Sequence, residues 1–288
     1  MLVATHSGPF HTDDVFAFAL LKTFLDPAAS IVRTRDLARI AEADIVIDVG
    51  GEFDPQRRRF DHHQRSYQGE RSSAGMVLDF LQAQGRVSSA LADKLRSEWV
   101  DHIDAVDCGR ITPDPGVPSL GAMIGAYAEL ADSPEEFDVA YLEAAAVCER
   151  ALAGLVRAEQ KTEIARQAVA QAMERARERG SRIMRLDRHY KWKRVYFELG
   201  GAEHPTDYVL FPESDAVRLV AIPPDQHSFA QKRPLPAAWA GLTDEALSAV
   251  VGVQGARFCH KNRFIAVFAT PDAAEQAISA WSLDGVES

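Results

Sequence analysis

The first third of the chain alternates between short apolar runs and longer segments that carry apolar residues at helical spacing. MLVATHS and SIVRTRD are short strand candidates, and DIVIDVGG is a compact β-branched run that predicts a buried strand followed by a turn. Between these runs, DDVFAFALLKTFL and LARIAEA predict two helices. This β-α-β-α-β order predicts a parallel sheet with helices on its faces.

Helical patterns dominate the middle of the chain. Residues 72–105 are predicted to be mostly helical, starting at SSAG, where either serine can cap the helix. After a loop rich in Pro and Gly, SPEE at residues 133–136 predicts the start of a further helix with a serine cap. From there to Gly180 the sequence is rich in Ala, Glu and Arg, so we predict one or two long helices.

The C-terminal part returns to short strand-like runs. RVYFEL, DYVLFP, VRLVAI and RFIAVF are strand candidates, and TPDAAEQAISAW predicts a capped terminal helix. The fold class is therefore α/β. The predicted parts are an N-terminal parallel-sheet domain over residues 1–130, a long helical connector over residues 131–180 and a smaller C-terminal α+β domain over residues 181–288.

Composition and charge narrow the classes of function. A chain of 288 residues is long for one core and suits two domains. The net charge of -10 argues against a protein that coats long nucleic acid through its overall field, so any phosphate binding has to be local. Three cysteines without a CxxC pair suit a reducing compartment. Since we find neither a signal-peptide pattern nor a long apolar run, we expect a cytoplasmic protein without a membrane segment.

Histidines and aspartates gather at the predicted carboxyl ends of the strands. THSGPFHTDD supplies His6, His11, Asp13 and Asp14 after the first strand, and Asp48 ends the third strand. The motif DHH follows one short loop later, and WVDHIDAVDCG offers further aspartates. Because ligands bind at the carboxyl ends of strands in an open α/β sheet, these side chains lie where a binding site is expected.

Each of these residues has an ordinary structural explanation when it is taken alone. An aspartate at a strand end is commonly a turn residue, and Asp14 suits the first turn of a helix. The joint pattern favours a metal site, because imidazole and carboxylate without thiolate suit Mn²⁺, Mg²⁺, Fe or Zn. More than four ligands indicate two metals, which serve the hydrolysis of phosphate esters, and Asp48 is well placed to bridge them.

Arginines surround the DHH motif. Guanidinium is the natural partner of phosphate, so the group predicts a rim that binds substrate phosphate. Arg65, in HHQRSY, is the strongest candidate among them. For each single arginine the alternative is a solvated basic loop in an acidic protein. The flanking arginines are Arg57, Arg58, Arg59, Arg65 and Arg71.

The chain resembles the melanocyte-proliferating-gene family in a series of long motifs. They are, in order, THSGPFHTDD, IVRTRD, DIVIDVGGEFDP, RRFDHHQRSY, SSAG, IDAVDCG, DQHSFAQKRPLPAAWAGLTDEAL and GARFCHKNRFIAVFAT. This family looks like a branch of the DHH phosphoesterase superfamily, which also holds family II inorganic pyrophosphatases and exonucleases of the recombination-J type. The resemblance implies a DHH-type parallel-sheet domain that holds the metals, a helical connector, and a C-terminal domain that closes a cleft and holds the substrate.

The resemblance implies metal ligands residue by residue. His6, His11 and Asp13 occupy the opening motif, in which a histidine replaces one of the usual aspartates. Asp48 matches the bridging carboxylate, and His62 matches the ligand histidine of DHH. In the fourth motif, IDAVDCG, Asp104 is the best match and Asp107 is close behind, because the register of this segment is not fixed by sequence.

Two neighbours of the ligand histidine receive catalytic roles from the same resemblance. Asp61 would fix the orientation and tautomer of His62. His63 would face the substrate phosphate, where it stabilises developing charge or protonates the leaving oxygen.

Substrate-binding residues are implied in the C-terminal domain. His260 lies where superfamily members have a glycine- and histidine-containing substrate loop, and Lys232 matches a basic position of the family, with His227 shortly before it. The structural alternatives are a capped strand end for His260 and a surface loop for Lys232.

Phosphodiester hydrolysis is the activity that the resemblance implies, since the characterised eukaryotic member is similar to a 3′-to-5′ RNA exonuclease. We expect two divalent ions, Mn²⁺ first and Mg²⁺ or another divalent ion as alternatives, and a substrate of RNA, short oligonucleotides or nucleotides cleaved by metal-activated water. A small-molecule phosphatase or pyrophosphatase-like enzyme and a non-catalytic metal-containing nucleotide binder stay open. The Ala-rich connector either packs on its own domain or pairs with a second copy in a homo-oligomer.

Overall fold

The computed structural model of the protein describes residues 1–114 and 116–285 and has a mixed α/β architecture with two sheets. The chain divides into two units, Met1–Glu159 and a second unit that begins at Gln160. The predicted α/β fold class is confirmed. The domain boundaries near residues 130 and 180 stay predictions, and the observed division falls within one long helix.

The first sheet contains the three predicted strands and a short hairpin that the sequence did not predict. Its strands are β1 (Leu2–Thr5), β2 (Ser30–Arg33), β3 (Ile45–Ile47), β4 (Phe53–Asp54) and β5 (Arg59–Phe60), in the order β2-β1-β3-β5-β4. The first three strands and β5 run parallel, and β4 is antiparallel to β5. Val3 pairs with Ile31 on one side and with Ile45 on the other. The parallel order brings the carboxyl ends of β1, β3 and β5 to one edge of the sheet.

Helices of varied length complete the first unit. They are α1 (Thr12–Phe24), α2 (Leu37–Ala41), α3 (Ser73–Ala83), α4 (Ser89–Leu95), a π-helical turn (Arg96–Val100), α5 (Asp101–Asp107) and α6 (Leu120–Ala128). α1 is the central helix of the core, since every side chain from Val15 to Leu21 is buried. Asp13 and Asp14 in its first turn are fully buried as well, which is rare for carboxylates.

α7 (Pro134–Glu178) is a single helix of 45 residues. Its start matches the predicted capping pattern, because the N–H of Glu136 donates to the hydroxyl of Ser133 at 3.3 Å and the carboxylate of Glu136 accepts from the N–H of Ser133 at 3.1 Å. Among the described residues, no helix combines the length and the apolar character that a membrane crossing requires.

The second unit is built around a mostly antiparallel sheet in the order β6-β7-β8-β10-β9. β6 and β7 run parallel, and the remaining neighbours are antiparallel. Its elements are β6 (Ile183–Arg185), α8 (Trp192–Glu198), β7 (Tyr208–Glu213), β8 (Ala216–Ala221), a short 3₁₀ turn (Ala237–Trp239), α9 (Asp244–Val251), β9 (Ala256–Cys259), β10 (Ile265–Phe268) and α10 (Pro271–Ala280).

One strand prediction in this unit is wrong. The run RVYFEL lies in helix α8 and not in a strand. The reason is its spacing: Trp192, Val195 and Tyr196 are all buried, and these positions share one face of a helix. The β-branched and aromatic residues suggested a strand, but the tertiary environment overrode that propensity.

Candidate metal centre

His6 is the first residue after β1, and Asp48 is the first residue after β3. The two residues face each other. Because Ala4 pairs with Val46 in the parallel ladder, the chain positions that follow lie side by side. The Nε2 atom of His6 is 3.4 Å from Oδ2 of Asp48 and 3.7 Å from Oδ2 of Asp14. Asp48 has a φ of 52°, a left-handed conformation that costs a non-glycine residue energy and is typical of functional sites.

The start of α1 contributes three further polar side chains. His11 is the cap residue, and its N–H donates to Oδ1 of Asp14 at 3.0 Å. The hydroxyl of Thr5 donates to Oδ2 of Asp14 at 3.3 Å. Asp13 points to the neighbouring helix α3, where the N–H of Ser73 donates to its Oδ2 at 3.3 Å. The capping geometry therefore fixes both carboxylates against the sheet edge.

The DHH motif follows β5 at the same edge. Asp61 accepts hydrogen bonds from the N–H of Gly51 at 2.6 Å, from the N–H of His63 at 3.0 Å and from the imidazole Nδ1 of His63 at 2.8 Å. In the structure Asp61 is therefore hydrogen-bonded to His63, whereas the family resemblance implied that it orients His62. Burial alone raises the pKa of Asp61, but these hydrogen bonds outweigh it and lower the pKa.

His62 lies between two carboxylates. Its Nε2 is 3.0 Å from Oδ2 of Asp107, and its Nδ1 is 3.6 Å from Oδ1 of Asp48. The ring stacks on that of His63, with centroids 4.3 Å apart. His62 is therefore in contact with the ends of both β3 and α5.

The structure places Asp107 in this group and places Asp104 outside it. Asp104 is fully buried and accepts hydrogen bonds at Oδ1 from the N–H of Ser72 at 3.0 Å, the hydroxyl of Ser72 at 2.7 Å and the N–H of Gly75 at 3.1 Å. Arg71 donates to its other oxygen at 3.2 Å. Asp104 thus caps the start of α3. Asp107 lies one helical turn later, where it reaches His62 and lies 4.0 Å from His11.

Five overlapping groups of side chains within this edge could hold metal ions. They are Asp48–Asp61–His62–His63, His6–His11–Asp48, His62–Asp107–Cys108, His11–Asp13–Asp107 and Asp13–Asp14–Asp48. Three buried ligand atoms in these groups have no hydrogen-bond partner within the described part of the chain: Oδ1 of Asp13, Oδ1 of Asp48 and Nδ1 of His62. Buried polar atoms are normally paired, so these atoms fit the coordination of divalent cations.

The pKa values reflect the crowding of negative charge. Burial and the charges of Asp48 and Asp107 raise the pKa of Asp13 well above its usual value. Burial and the charge of Asp48 raise the pKa of Asp14 to about 7. For His6, burial lowers the pKa, but the hydrogen bond to Asp48 and the charge of Asp14 outweigh it, so the pKa is raised. A bound cation would relieve this repulsion, because it offers the carboxylates an opposite charge.

The pKa values of His62 and Asp107 shift in opposite directions. Burial lowers the pKa of His62, but the hydrogen bond to Asp107 and the charge of Asp48 outweigh it and raise the pKa. Burial raises the pKa of Asp107, but the hydrogen bond and charge of His62 outweigh it and lower the pKa. The two groups therefore form an ion pair in the absence of metal.

A cavity of about 340 Å³ opens onto these side chains. Its lining residues are His6, His11, Arg35, Asp48, Val49, Gly50, Gly51, Asp61, His63 and Gln64. Arg35 was not predicted as a member of the site, and it follows the end of β2. Asp14 is one of the candidate residues of THSGPFHTDD, and its capping-box spacing with His11 fixes its position.

The predicted substrate-binding residues occupy different environments. Arg65 is exposed next to the DHH motif, and its guanidinium has no ion pair among residues 1–114 and 116–285. His227 is exposed in a loop. His260 is half-buried at the end of β9, where its Nδ1 accepts from the N–H of Asn262 at 3.1 Å and its ring lies 4.4 Å from that of Phe264.

Lys232 is engaged within its own unit. Its ammonium donates to the carbonyl of Gly201 at 2.6 Å, to the carbonyl of His204 at 2.9 Å and to the hydroxyl of Tyr196 at 3.2 Å. These contacts tie the loop that contains Lys232 to the turn after α8. The ammonium of Lys232 thus makes its hydrogen bonds within the fold, which the sequence did not indicate.

Comparison with known proteins identifies relatives along almost the whole chain. A family model for the MYG1 exonuclease family, described as "Uncharacterised protein family (UPF0160)", matches residues 2–280. The MYG1 protein of Chlamydia trachomatis is 38% identical over 285 residues, covering 96% of this chain and 95% of the relative. The human MYG1 exonuclease is 32% identical over 330 residues, covering 94% of this chain and 83% of the relative.

Among solved structures, a crystal structure of the exonuclease RecJ bound to manganese aligns with 97% of this chain and 90% of that chain. The two are 13% identical, and the TM-score is 0.28, a likeness that carries no inference about this protein. The family match and the identity to its members are decisive by themselves: the chain belongs to the MYG1 family.

Proposed function

We propose that this protein is a metal-dependent phosphodiester hydrolase that removes nucleotides from the 3′ end of RNA or of short oligonucleotides. The observation that carries the proposal is the convergence of His6, Asp13, Asp48, His62 and Asp107 at one sheet edge, with unpaired buried ligand atoms. The name of the human relative, an exonuclease, agrees with this chemistry.

Six side chains would hold two divalent ions, with Mn²⁺ as the first candidate. The set is His6, His11, Asp13, Asp48, His62 and Asp107, in which Asp107 takes the place that the sequence analysis gave to Asp104. Asp48 belongs to three of the five candidate groups, which supports a bridging position. When bound, such ions activate water and neutralise the oxygens of a phosphate group.

Asp61 and His63 form the proton-transfer pair of the proposed mechanism. Asp61 is buried and accepts from Nδ1 of His63, which holds the imidazole in one orientation. The side chain of His63 is 60% exposed and lines the cavity, so its other nitrogen can reach a substrate. We assign to His63 the protonation of the leaving oxygen and to Asp61 the positioning of His63.

We propose different roles for the predicted substrate-binding residues. Arg65 remains a candidate for phosphate, because its exposed guanidinium is free to bind a ligand. His260 and His227 remain candidates for the substrate in the second unit. For Lys232 we propose a structural role, since its three hydrogen bonds are made within the fold.

A substrate panel tests the proposal. RNA oligomers with a label at the 5′ or the 3′ end, the matching DNA oligomers, dinucleotides and pyrophosphate are incubated with the purified protein and Mn²⁺ or Mg²⁺. Stepwise shortening of 5′-labelled RNA supports the proposal. Hydrolysis of pyrophosphate alone would favour the phosphatase alternative, and binding without hydrolysis would favour the nucleotide binder.

Variants connect any activity to the site. Asp48→Ala should remove metal and activity together, because the carboxylate is shared by several ligand groups. Asp132→Asn, a charge change at an exposed aspartate outside the site, is the matched control. Full metal content and turnover in Asp48→Ala would contradict the proposal.

A further inference from the structure

One cationic side chain lines the cavity at the metal centre. Among the lining residues, which include Asp48 and Asp61, Arg35 alone is a lysine or arginine. Arg35 follows β2, the neighbour of β1 in the sheet, so it reaches the same edge as His6. The parallel topology therefore brings a guanidinium of the motif IVRTRD to the site.

Arg35 is available for a ligand, whereas the arginine two positions earlier is not. The guanidinium of Arg33 is buried, donates to Asp138 at 3.0 Å and to the carbonyl of Gly8, and lies over the ring of Tyr141. Arg35 is exposed, and within residues 1–114 and 116–285 its guanidinium makes neither an ion pair nor a hydrogen bond. A guanidinium that lines a cavity and has no protein partner is suited to an anion.

The backbone after β3 adds donors to the same cavity. Gly50 and Gly51 have φ angles of 95° and 67°, which only glycine adopts easily. The N–H of Gly51 donates to Asp61 at 2.6 Å, while the N–H groups of Val49 and Gly50 have no acceptor in the described part of the chain. Successive amides in such left-handed turns commonly form anion-binding concavities.

We propose that Arg35, together with the backbone N–H groups of Val49 and Gly50, binds a phosphate group of the substrate. This assignment rests on the proposed function and deepens it by naming a binding residue on the chain itself. The carboxylates of the site repel phosphate in the absence of cations, and a protein-borne positive charge at the cavity wall offsets part of this repulsion. Arg35 supplies it with the planar, bidentate geometry that matches phosphate oxygens.

Equilibrium binding of inorganic phosphate tests the subsite without relying on turnover. Calorimetric titration of the 288-residue protein is carried out once with EDTA and once with Mg²⁺. Arg35→Gln should weaken phosphate binding about tenfold or more in both states, because a charge-assisted bidentate contact is lost. Arg35→Lys should retain part of the affinity. Arg39→Gln, a nearby exposed arginine outside the cavity, should bind as the wild type does.

Kinetics on an RNA oligomer add a second measurement. Arg35→Gln should raise KM about tenfold and change kcat little, since the contact is made in the ground state as well as in the transition state. If phosphate binds through Arg35 but no phosphodiester is cleaved, the subsite stands and the proposed function falls. If RNA is cleaved while Arg35→Gln equals the wild type in phosphate affinity and KM, or if the wild type binds no phosphate in either state, the subsite is refuted.

Discussion

The Nε2 atom of His62 lies 3.0 Å from Oδ2 of Asp107, across the gap between the loop after β5 and the last residue of α5. This pair joins two parts of the chain that the sequence could not place together. It also decides which aspartate of IDAVDCG faces the sheet edge. Asp107 is one helical turn beyond Asp104, and only the former reaches the metal centre.

Substitution of Asp107 should therefore weaken metal binding more than it lowers the free energy of unfolding. We expect Asp107→Asn to bind Mn²⁺ at least about tenfold more weakly, because one anionic ligand is lost. In EDTA the free energy of unfolding should fall less than in Asp104→Ala, since Asp107 loses one ion pair, with His62, whereas Asp104 loses several buried hydrogen bonds. Titration calorimetry with Mn²⁺ and urea unfolding in EDTA measure both quantities, and Asp132→Asn is the control. Unchanged Mn²⁺ affinity would exclude Asp107 as a ligand.

Asp104 should show the opposite pattern, with a large loss of stability. Asp104→Ala leaves the N–H groups of Ser72 and Gly75 without their acceptor and removes one carboxylate partner of Arg71. We expect the free energy of unfolding to fall by about 2–4 kcal/mol. Urea unfolding measures the change. A variant as stable as the wild type would refute the capping role.

Gly75→Ala tests the same contact from the other side. A Cβ atom at this position would lie 2.2 Å from Oδ2 of Asp104, so the carboxylate or the helix start must move. We expect a destabilisation of about 1–3 kcal/mol in urea unfolding. Gly154→Ala, in α7 with open space around its Cβ position, is the control and should not destabilise the protein.

Metal binding should strengthen with rising pH between 6 and 8. In the metal-free protein, burial and Asp48 raise the pKa of Asp14 to about 7, and the pKa values of Asp13, His6 and His62 are raised as well. Asp14 is therefore partly protonated near neutral pH, and the raised pKa values of the other groups act in the same direction, so a cation competes with protons for these ligands. For the carboxylates, a folded pKa above the unfolded value means that stability is lost as pH rises through the folded pKa.

The thermal midpoint with and without Mn²⁺ measures this linkage. The metal-free protein should lose stability from its carboxylate cluster between pH 6 and 8, and Mn²⁺ should restore it. The increase in Tm on adding Mn²⁺ is therefore larger at pH 8 than at pH 6. An increase that is equal at both pH values would show that these carboxylates do not take part in binding.

His63→Gln separates proton transfer from metal binding. We expect Mn²⁺ affinity within a few-fold of the wild type and kcat reduced by roughly 10²–10⁴, the usual contribution of a general acid. Calorimetry and steady-state kinetics on an RNA oligomer provide both values. Asp61→Asn should lower kcat through the position of His63 and should change the pH profile, which a purely structural role would leave unaltered.

Lys232→Met tests whether the ammonium supports the fold. The carbonyl of His204 would lose the ammonium as its donor, and the carbonyl of Gly201 would keep only the N–H of His204. We expect a loss of about 1–3 kcal/mol in the free energy of unfolding. Lys261→Met, at an exposed position in the turn before β10, is the control. Equal stability of the two variants would return Lys232 to the candidates for substrate binding.

The sequence by itself determined the local features of this protein. Apolar periodicity predicted β1, β2, β3, α1 and α7, because the apolar residues of strands and helices recur at characteristic spacings along the chain. It also indicated that His6, His11, Asp13, Asp48 and the DHH motif follow strands, and parallel strands bring such positions to one edge. The long motifs led to the family to which the chain belongs.

Only the tertiary structure decided the contacts between distant segments. The sequence could not choose between Asp104 and Asp107, because a helical register depends on which face packs against α3. It could not predict that Arg35 lines the cavity or that Lys232 donates hydrogen bonds to the turn after α8. It also assigned α8 to a strand, since propensity is weak when the buried face is set by packing. Long-range burial and hydrogen bonding fix these choices, and neither leaves a local pattern along the chain.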